Sequence, residues 1–165
     1  MVVLHTNFGD IAIKMFEQEA PTTVKNFLEY ANACFYNGTI FHRVIDGFMV
    51  QGGGFTKDFE KKTSRDAIEN EADKGLNHER GTIAMARTGN PHSATNQFFI
   101  NVVYNKFLNH TGKNDQGWGY TAFGRIIDGM NIVGRMARVK TENVGPYSDV
   151  PEEAIVIEKA IITSE

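Results

Sequence analysis

The sequence predicts a mainly β protein, and three observations support this fold class. Short runs rich in β-branched and aromatic residues recur along the chain, separated by glycine-containing turns. Only two segments have the spacing of amphipathic helices. The composition, with 16 glycines and 12 phenylalanines among 165 residues, is typical of tightly turned sheet proteins. About eight strands and two helices favour an antiparallel barrel, because closing a sheet removes its exposed edges.

The first elements follow from local patterns. Residues 2–6 and 11–16 are β-branched or alternating in hydrophobicity, and turn residues separate them, which predicts a β-hairpin. Residues 21–33 carry apolar side chains at positions 24, 27, 28 and 31, the spacing of one helix face. Pro21 suits the first turn of that helix, because the backbone N–H it lacks would have no partner there.

A second pair of strands follows the helix. Residues 39–45 and 48–51 are predicted strands joined by a two-residue turn, and glycines 52–54 are predicted to form a bulge or tight turn. The Gly-Lys-Ser/Thr that a phosphate-binding loop needs does not follow them. Residues 55–80 are charged and weakly periodic, which predicts a long surface excursion with one short strand near residues 67–68.

The second half of the chain continues this pattern. The remaining predicted elements are strands at residues 81–87, 96–102, 120–127 and 154–163, a long loop at 109–119 and a helix at 130–137. No repeat or linker divides the sequence, so residues 1–165 are predicted to form a single domain.

Composition and charge narrow the classes of function. Hydrophobic residues make up 41% and charged residues 22%, which is typical of an ordinary globular protein. A net charge of −3 argues against nucleic-acid binding. No apolar run approaches the roughly 20 residues that cross a bilayer, and the N-terminus does not resemble a signal peptide, so we expect a cytoplasmic protein. The lone Cys34 allows no internal disulfide and is expected to be a small buried hydrophobe, not a nucleophile.

Alternation along the strands assigns two sets of residues to opposite faces. One set would fill the barrel: Val44, Val50, Phe98 and Ile100. The other set would then gather outside it: Arg43, Met49, Gln51, Gln97 and Phe99. An apolar floor with one guanidinium and two amides at its rim suits a shallow groove for an uncharged or extended ligand. The alternative is that these are unrelated surface residues.

Three blocks of sequence carry a resemblance to a known family. Residues 41–53 read FHRVIDGFMVQGG, and residues 81–87 and 93–101 read GTIAMAR and SATNQFFIN. The third block is Phe107 and Leu108 followed by residues 120–130, YTAFGRIIDGM. Together they resemble the cyclophilin-type peptidyl-prolyl cis/trans isomerases, in their small bacterial-type single-domain branch.

The resemblance implies a fold and a function. The fold would be a closed eight-stranded antiparallel β-barrel capped by two α-helices. The activity would be rotation about Xaa–Pro bonds in unfolded or flexible polypeptides, which assists protein folding. The partners would be proline-containing peptides and unfolded proteins, and a monomer is expected. We expect no cofactor and no metal, because the reaction makes and breaks no bond.

The resemblance also assigns roles to individual positions. Arg43 corresponds to the catalytic arginine, and Gln51 and Gln97 to amides that position this arginine and the peptide. The pocket for the proline ring would be lined by Phe48, Met49, Phe99 and Leu108. Ala86 and Arg87 correspond to the stretch that runs beside the substrate backbone.

Two further positions implied as substrate-binding depart from the best-known family members. Phe107 stands where those members have a tryptophan, and Tyr120 stands where they have a histidine. Both departures resemble the bacterial-type branch. The indole would donate a hydrogen bond to cyclosporin and a phenyl ring cannot, so weak cyclosporin binding is expected with isomerase activity retained.

Other residues give weaker indications of function than these three blocks. The five histidines lack the spacing of metal ligands, and no second cysteine supports them. His42 is expected to be a hydrogen-bonded core residue, and Trp118 is expected to anchor its loop, with ligand contact as the alternative. A hydrolase built on His92 and Ser93 would need a Gly-x-Ser-x-Gly elbow, which is absent.

Two classes of function remain open. The first is a prolyl isomerase, and the second is a proline-peptide binding module or chaperone with little turnover. A binding module should tolerate the loss of the arginine, whereas an isomerase needs it. The presence of Arg43 together with Gln51 and Gln97 favours the enzyme.

Overall fold

In the residues that the computed structural model describes, 1–74 and 76–164, the chain forms two α-helices and eleven strands. The helices are α1 (Pro21–Asn32) and α2 (Met130–Ala137). The strands are β1 (Val2–Thr6), β2 (Gly9–Met15), β3 (Thr39–Ile40), β4 (Arg43–Ile45), β5 (Met49–Gly52), β6 (Thr82–Met85), β7 (Phe98–Asn101), β8 (Ala122–Asp128), β9 (Thr141–Val144), β10 (Tyr147–Pro151) and β11 (Val156–Ile162). Single turns of 3₁₀-helix lie at Ala72–Lys74 and Lys106–Leu108.

Nine strands form one antiparallel sheet in the order β3-β11-β1-β2-β8-β6-β7-β5-β4. The predicted strand over residues 39–45 is split because its partner changes: β3 pairs with β11, whereas β4 pairs with β5. The sheet therefore has nine strands, and its two edges are only two residues apart along the chain. The backbone N–H of Ile40 also donates to the carbonyl of Phe55, three residues after β5, at 3.0 Å. This strongly curled, nearly barrel-like sheet confirms the predicted mainly β fold.

The main core fills the inside of the curled sheet. Phe27 of α1 lies at its centre, with ring centroids 5.1 Å from Tyr36, 5.1 Å from Phe123 and 5.5 Å from Phe98. Such tilted and edge-to-face contacts add to the stabilisation that comes from burying the rings. Helix α2 covers the core from another side with Val133, Met136 and Ala137.

Helix α1 begins with a proline, and its N-terminus is capped by a residue that is distant in sequence. Pro21 occupies the first turn, as predicted, and Ala20 at the N-cap provides no side-chain hydrogen bond. The Glu71 carboxylate accepts hydrogen bonds from the backbone N–H and the hydroxyl of Thr23, both at 2.7 Å. A carboxylate at this end of a helix satisfies unpaired N–H groups and favours the helix dipole. The excursion predicted at residues 55–80 is therefore fastened to α1.

The expectation that Cys34 is buried is wrong, because the helix ends just before it. Cys34 is exposed and has a φ of 59°. Its N–H donates to Ala31 O, and the N–H of Phe35 donates to Tyr30 O, which is the Schellman arrangement of a helix C-terminus. Cys34 occupies the left-handed position of this motif, where the backbone directs its side chain away from the core.

Two further differences concern surface segments. The short strand predicted near residues 67–68 is only a single bridge between Ile68 and Ala94. The hairpin of β9 and β10 was not predicted, because most of its residues are exposed on both faces and leave no hydrophobic alternation to detect. Neither described helix has the length and apolar character needed to cross a membrane.

Candidate active site

Cross-strand register aligns Arg43, Gln51 and Phe99 on one face of the sheet. Arg43 pairs with Gln51 between β4 and β5, and Gln51 pairs with Phe99 between β5 and β7. Directly opposed residues project from the same face, so the three side chains stand in a row outside the main core. The opposite face carries the core residues that the sequence predicted: Val44, Val50, Phe98 and Ile100.

A pocket of about 170 Å³ opens over this outer face. Its floor is a second apolar cluster, separate from the main core, formed by Met49, Ala84, Phe99, Leu108 and Ala122. Phe99 is 5% exposed, so the floor is more deeply buried than the shallow groove that the sequence predicted. The pocket brings together nine of the eleven predicted site residues: Arg43, Phe48, Met49, Gln51, Ala86, Arg87, Phe99, Leu108 and Tyr120.

The two remaining predicted residues lie at the margin of the pocket. Gln97 is half-buried and contacts Gln51. Phe107 is 73% exposed, and its ring centroid lies 5.7 Å from that of Phe48. Phe107 therefore extends the apolar wall outward and does not line the pocket itself.

The two glutamines connect Arg43 to the sheet. Arg43 Nη1 donates to Gln51 Oε1 at 3.5 Å, and Gln51 Nε2 donates to Gln97 Oε1 at 3.2 Å. The first of these bonds is long and engages one donor of the guanidinium group, which has five. Arg43 forms no ion pair with a carboxylate in the described part of the chain. Its remaining donors can therefore face a ligand in the pocket.

The glycines after β5 make room for Gln97. Gly53 has a φ of 89°, and its carbonyl accepts a hydrogen bond from Asn96 Nδ2 at 2.8 Å. At Gly54, an added Cβ would lie 2.6 Å from Cγ, Cδ and Nε2 of Gln97. The run of glycines predicted as a bulge or tight turn thus lets Gln97 lie against the backbone and reach Gln51.

Arg87 also lines the pocket and is held by three contacts. Its Nε donates to Gly119 O at 3.0 Å and its Nη1 donates to Thr88 O at 2.8 Å. Its guanidinium carbon lies 4.4 Å from the centroid of the Tyr120 ring, within cation–π range. The loop at residues 109–119 therefore takes part in building the site.

Trp118 anchors this loop, as predicted. Its ring packs against His92 and His110, with centroids 4.8 Å and 5.1 Å away. Asn70 Nδ2 also donates to Gly119 O at 3.0 Å, next to the tryptophan. The loop is therefore attached to the excursion at residues 55–80.

Sequence reasoning missed a histidine beneath the pocket. His78 is fully buried, and its ring stacks on Phe99 with centroids 5.8 Å apart and an interplanar angle of 11°. Its Nδ1 accepts from Asn101 Nδ2 at 3.1 Å, so its Nε2–H donates to Tyr120 O at 2.7 Å. Burial lowers the pKa of His78, although the hydrogen bond to Tyr120 partly opposes this effect. The neutral ring thus fixes both Phe99 and Tyr120.

A ladder of asparagines supports His78. Asn105 Nδ2 donates to Asn101 Oδ1 at 2.7 Å and to Phe48 O at 2.9 Å, and Asn109 Oδ1 accepts from the His78 N–H at 2.8 Å. The sequence spacing of these asparagines, one at every fourth position, was the signal that could have revealed the network. In the sequence, His78 is one of the five histidines whose spacing does not suit a metal site.

His42, next to Arg43 in the chain, is buried as predicted, but in the described part of the chain its ring is not hydrogen-bonded at Nδ1. It is 5% exposed, and its ring centroid lies 4.6 Å from that of Phe55. Its Nδ1 has no hydrogen-bond partner among the described residues, so the prediction of a hydrogen-bonded ring is wrong for this atom. Burial, together with the charge of Arg43, lowers the pKa of His42 to about 4. His42 is therefore uncharged at neutral pH.

Outside this pocket, the described surface carries larger open grooves but no metal-binding cluster. Across residues 1–74 and 76–164, no group of three or more histidine, cysteine, aspartate or glutamate side chains is placed to hold a metal ion. A larger open groove of about 550 Å³ lies between α1 and the end of β11, where Val24, Leu28 and Ile162 contribute apolar surface. None of the eleven predicted site residues lines that groove.

Comparison with known proteins gives one consistent result. A family model described as "Cyclophilin type peptidyl-prolyl cis-trans isomerase/CLD" matches residues 1–162. "Peptidyl-prolyl cis-trans isomerase B" of Escherichia coli is 55% identical over 163 residues, which are 99% of each protein. "Peptidyl-prolyl cis-trans isomerase cyp18" of Streptomyces antibioticus is 52% identical over 161 residues, which are 98% of this chain and 97% of that protein.

Solved structures agree with the sequence comparison. A cyclophilin-type peptidyl-prolyl cis-trans isomerase of Cryptosporidium parvum, determined in the presence of the dipeptide Ala-Pro, superposes with a TM-score of 0.81. Its sequence identity is 28%, and the alignment covers 99% of both chains.

Replacing Gly54 by alanine should impair the site without unfolding the protein. The new methyl group would displace Gln97, a flexible side chain, and so break the contact from Gln97 to Gln51. We expect the catalytic efficiency on a proline peptide to fall by about threefold to tenfold, in line with the loss of one weak hydrogen bond. The matched control is Gly89→Ala, since a Cβ there meets nothing within 4 Å. Equal activities of the two variants would contradict this account of Gly54.

The free energy of unfolding should decrease as the pH falls from about 6.5 to about 4. His42 binds a proton near pH 6.5 when unfolded but only near pH 4 when folded, so the unfolded state binds more protons across this window. The decrease attributable to His42 is up to about 3 kcal/mol, since one pKa unit corresponds to about 1.4 kcal/mol. Urea titrations at about pH 7 and about pH 4.5 measure it.

A variant that cannot bind a proton at position 42 shows whether His42 causes this pH dependence. His42→Phe should show a smaller decrease in unfolding free energy between the two pH values, because the aromatic surroundings remain and the proton site is gone. His5→Gln is the control, as it removes a partly exposed histidine from the first hairpin. The same pH dependence in His42→Phe as in the wild type would rule out His42 as the source.

Proposed function

Because this chain belongs to the cyclophilin-type peptidyl-prolyl cis-trans isomerases, we propose that the pocket beside Arg43 is its active site. The protein is an isomerase that acts on proline-containing peptides and assists protein folding. The observation that carries the assignment is the position of Arg43, which has donors free of ion pairs among the described residues and stands beside a buried apolar floor.

The reaction is rotation about the Xaa–Pro amide. Partial double-bond character gives this bond a barrier of about 18–20 kcal/mol, and uncatalysed rotation takes tens to hundreds of seconds. As the amide twists, resonance is lost and a lone pair returns to the prolyl nitrogen. A hydrogen-bond donor aimed at that nitrogen is therefore worth more in the twisted state than in either planar state, which is the condition for catalysis.

Arg43 supplies this donor. A guanidinium group stays protonated throughout, since its pKa is above about 12. Its planar fork can also bind the prolyl carbonyl and so fix one end of the peptide while the other end turns. Gln51 positions the fork through Nη1, and Gln97 in turn positions Gln51.

The apolar floor binds the proline ring and lowers the local polarity. Phe99, Met49 and Leu108 present buried surface to a ring that is the same in both isomers. Phe48 and Tyr120 form its sides, and Ala86 runs beside the peptide backbone. In such a low-polarity environment the interaction with Arg43 is stronger than in water, and the less polar twisted amide is favoured.

The rate acceleration requires more than one source of transition-state stabilisation. A millionfold acceleration needs about 8 kcal/mol of transition-state stabilisation, and a single preorganised donor typically supplies about 3–4 kcal/mol. Immobilisation of the peptide and exclusion of water from the pocket must supply the rest.

A proline-peptide binding module with little turnover is the second candidate. It would need the apolar floor and the edges that bind the peptide backbone, but not Arg43. The hydrogen-bonded series from Arg43 through Gln51 to Gln97 favours the enzyme, because a donor held beside the ring can act on the prolyl nitrogen as the amide twists.

Three further proposals concern the molecule as a whole. We propose that residues 1–165 act as one domain, since both apolar clusters pack against the same curled sheet. We propose a monomer, since the residues of one chain complete the pocket. We propose action in the cytoplasm, since a chain with the single cysteine Cys34 needs no oxidising compartment.

We also propose that this isomerase binds cyclosporin weakly. Phe107 lies at the mouth of the pocket and is largely exposed. A phenyl ring offers apolar contact but no N–H group, so a hydrogen bond that an indole would donate is missing. Isomerisation does not need that bond.

Arg43→Ala should abolish most activity and leave the fold intact, because the side chain is exposed and lies outside both apolar clusters. We expect the catalytic efficiency to fall by at least about 100-fold in a protease-coupled assay on an Xaa–Pro tetrapeptide. Arg138→Ala, at an exposed arginine just after α2, is the control. A variant that keeps more than half of the wild-type activity while still binding the peptide would favour the binding module.

Phe107→Trp should strengthen cyclosporin binding. We expect the wild type to have a dissociation constant above about 100 nM and the variant to bind at least about tenfold more tightly, which corresponds to one added hydrogen bond. Isothermal titration calorimetry measures both values. Phe107→Leu controls for the change in apolar surface, and tight binding by the wild type would contradict the proposal.

A further inference from the structure

Both charged side chains that line the pocket are arginines. Arg43 and Arg87 line the same cavity of about 170 Å³, and none of the described residues that line it is acidic. The other polar groups of the lining are the amide of Gln51 and the phenol of Tyr120. The protein as a whole carries a net charge of −3, so this positive character is local to the site.

Among the residues that the structure describes, no carboxylate pairs with either guanidinium group. The ion pairs within residues 1–74 and 76–164 join His5 to Asp10, Lys25 and Arg65 to Glu29, and Lys113 to Asp73. Arg87 is bound by backbone carbonyl groups, which orient its charge without cancelling it. The isomerisation mechanism uses the charge of Arg43 and leaves that of Arg87 without a role.

Arg87 is also preorganised. Two hydrogen bonds and the Tyr120 ring define its position, and the Gly119 carbonyl that holds its Nε is itself fixed by Asn70. Asn70 is 7% exposed, and its Oδ1 accepts from the hydroxyl of Thr121 at 3.0 Å. A guanidinium held in this way loses little further side-chain entropy when it binds a ligand. Its bonds at Nε and Nη1 leave Nη2 available to a planar acceptor.

We propose that Arg87 makes this isomerase selective for substrates with a carboxylate side chain, Asp or Glu, within two residues of the proline. This inference rests on the proposed function, since it requires the proline ring to occupy the floor beside Arg43. Arg87 would then act on specificity: its charge binds the flanking carboxylate and takes no part in twisting the amide.

The test is a series of short peptides that differ only next to the proline. Glu, Gln and Lys are placed at each neighbouring position in turn, and exchange NMR measures cis–trans interconversion without a coupling protease. We expect the catalytic efficiency on the best Glu peptide to exceed that on the matching Gln peptide by about twofold to fivefold, the range for a partly exposed ion pair. The Lys peptide should be the poorest substrate. Added salt should reduce the preference, because it screens partly exposed charges.

Variants separate the charge of Arg87 from its other contacts. In Arg87→Gln the ratio of Glu to Gln efficiency should fall to about one, whatever happens to the absolute rates. Arg87→Lys should keep part of the preference, since it retains the charge but loses the planar fork. Arg125→Gln, at an exposed arginine on β8 outside the pocket, should leave the ratio unchanged.

The outcomes are distinguishable from failure of the proposed function. Equal efficiencies on Glu and Gln peptides at every position, with normal turnover, would overturn the role of Arg87 and leave the isomerase intact. An acid preference that survives in Arg87→Gln would also overturn it. Absence of turnover on all peptides would instead count against the proposed function.

Discussion

The alternation of side chains across one curled antiparallel sheet is the constraint on which the rest of the structure depends. On β5 and β7, each inward residue that fills the main core has an outward neighbour that builds the pocket. Val50 and Phe98 are core residues, whereas Gln51 and Phe99 belong to the site. A shift of one residue in either strand would exchange the two sets. Burial of the core therefore fixes the register of the active site, and no separate device is needed to align Arg43 with its floor.

The two arginines of the pocket are supported in different ways. Arg43 has one long hydrogen bond to Gln51 and is exposed. Most of its N–H donors can therefore turn toward a ligand when one binds. Arg87 is bound by two carbonyls and an aromatic ring, so its direction is set before a ligand arrives. The difference matches the roles proposed for them. One group must interact with an amide whose geometry changes during the reaction, and the other forms a fixed wall beside it.

Beneath the floor, a buried polar network takes the place of further apolar packing. The neutral ring of His78 contacts Phe99 through its face and Tyr120 O through its Nε2, while Asn101 and Asn105 satisfy the remaining polar groups. Such a network stabilises only when nearly every donor and acceptor is paired, and it then specifies one arrangement. It connects β7, the 3₁₀ turn at Lys106–Leu108 and the segment around Tyr120. His78 lies about twenty residues before the nearest of these segments, and all of them contribute to one pocket.

The sequence by itself determined the elements whose reason is local and the residues whose pattern is unusual. Alternation located most strands of the sheet, helical spacing and Pro21 located α1, and the predicted bounds of α2 agree with the structure. Alternation allowed Arg43 and Phe99 to share the face opposite the core, and the resemblance of the motifs around them to a known family assigned their roles. The division of the strand over residues 39–45, the exposure of Cys34 and the hairpin of β9 and β10 were not determined in this way.

Only the tertiary structure decided those features, since each depends on a partner elsewhere in the chain. A strand divides when its neighbours change, and a turn residue is exposed when the helix before it ends at a particular position. The cap that Glu71 gives to α1, the clamp from Gly119 to Arg87 and the stacking of His78 on Phe99 join residues separated by more than twenty positions. Periodicity along a sequence reports which face a residue occupies. It carries no information about which distant group will lie against that face, because the curl of the sheet brings those groups together.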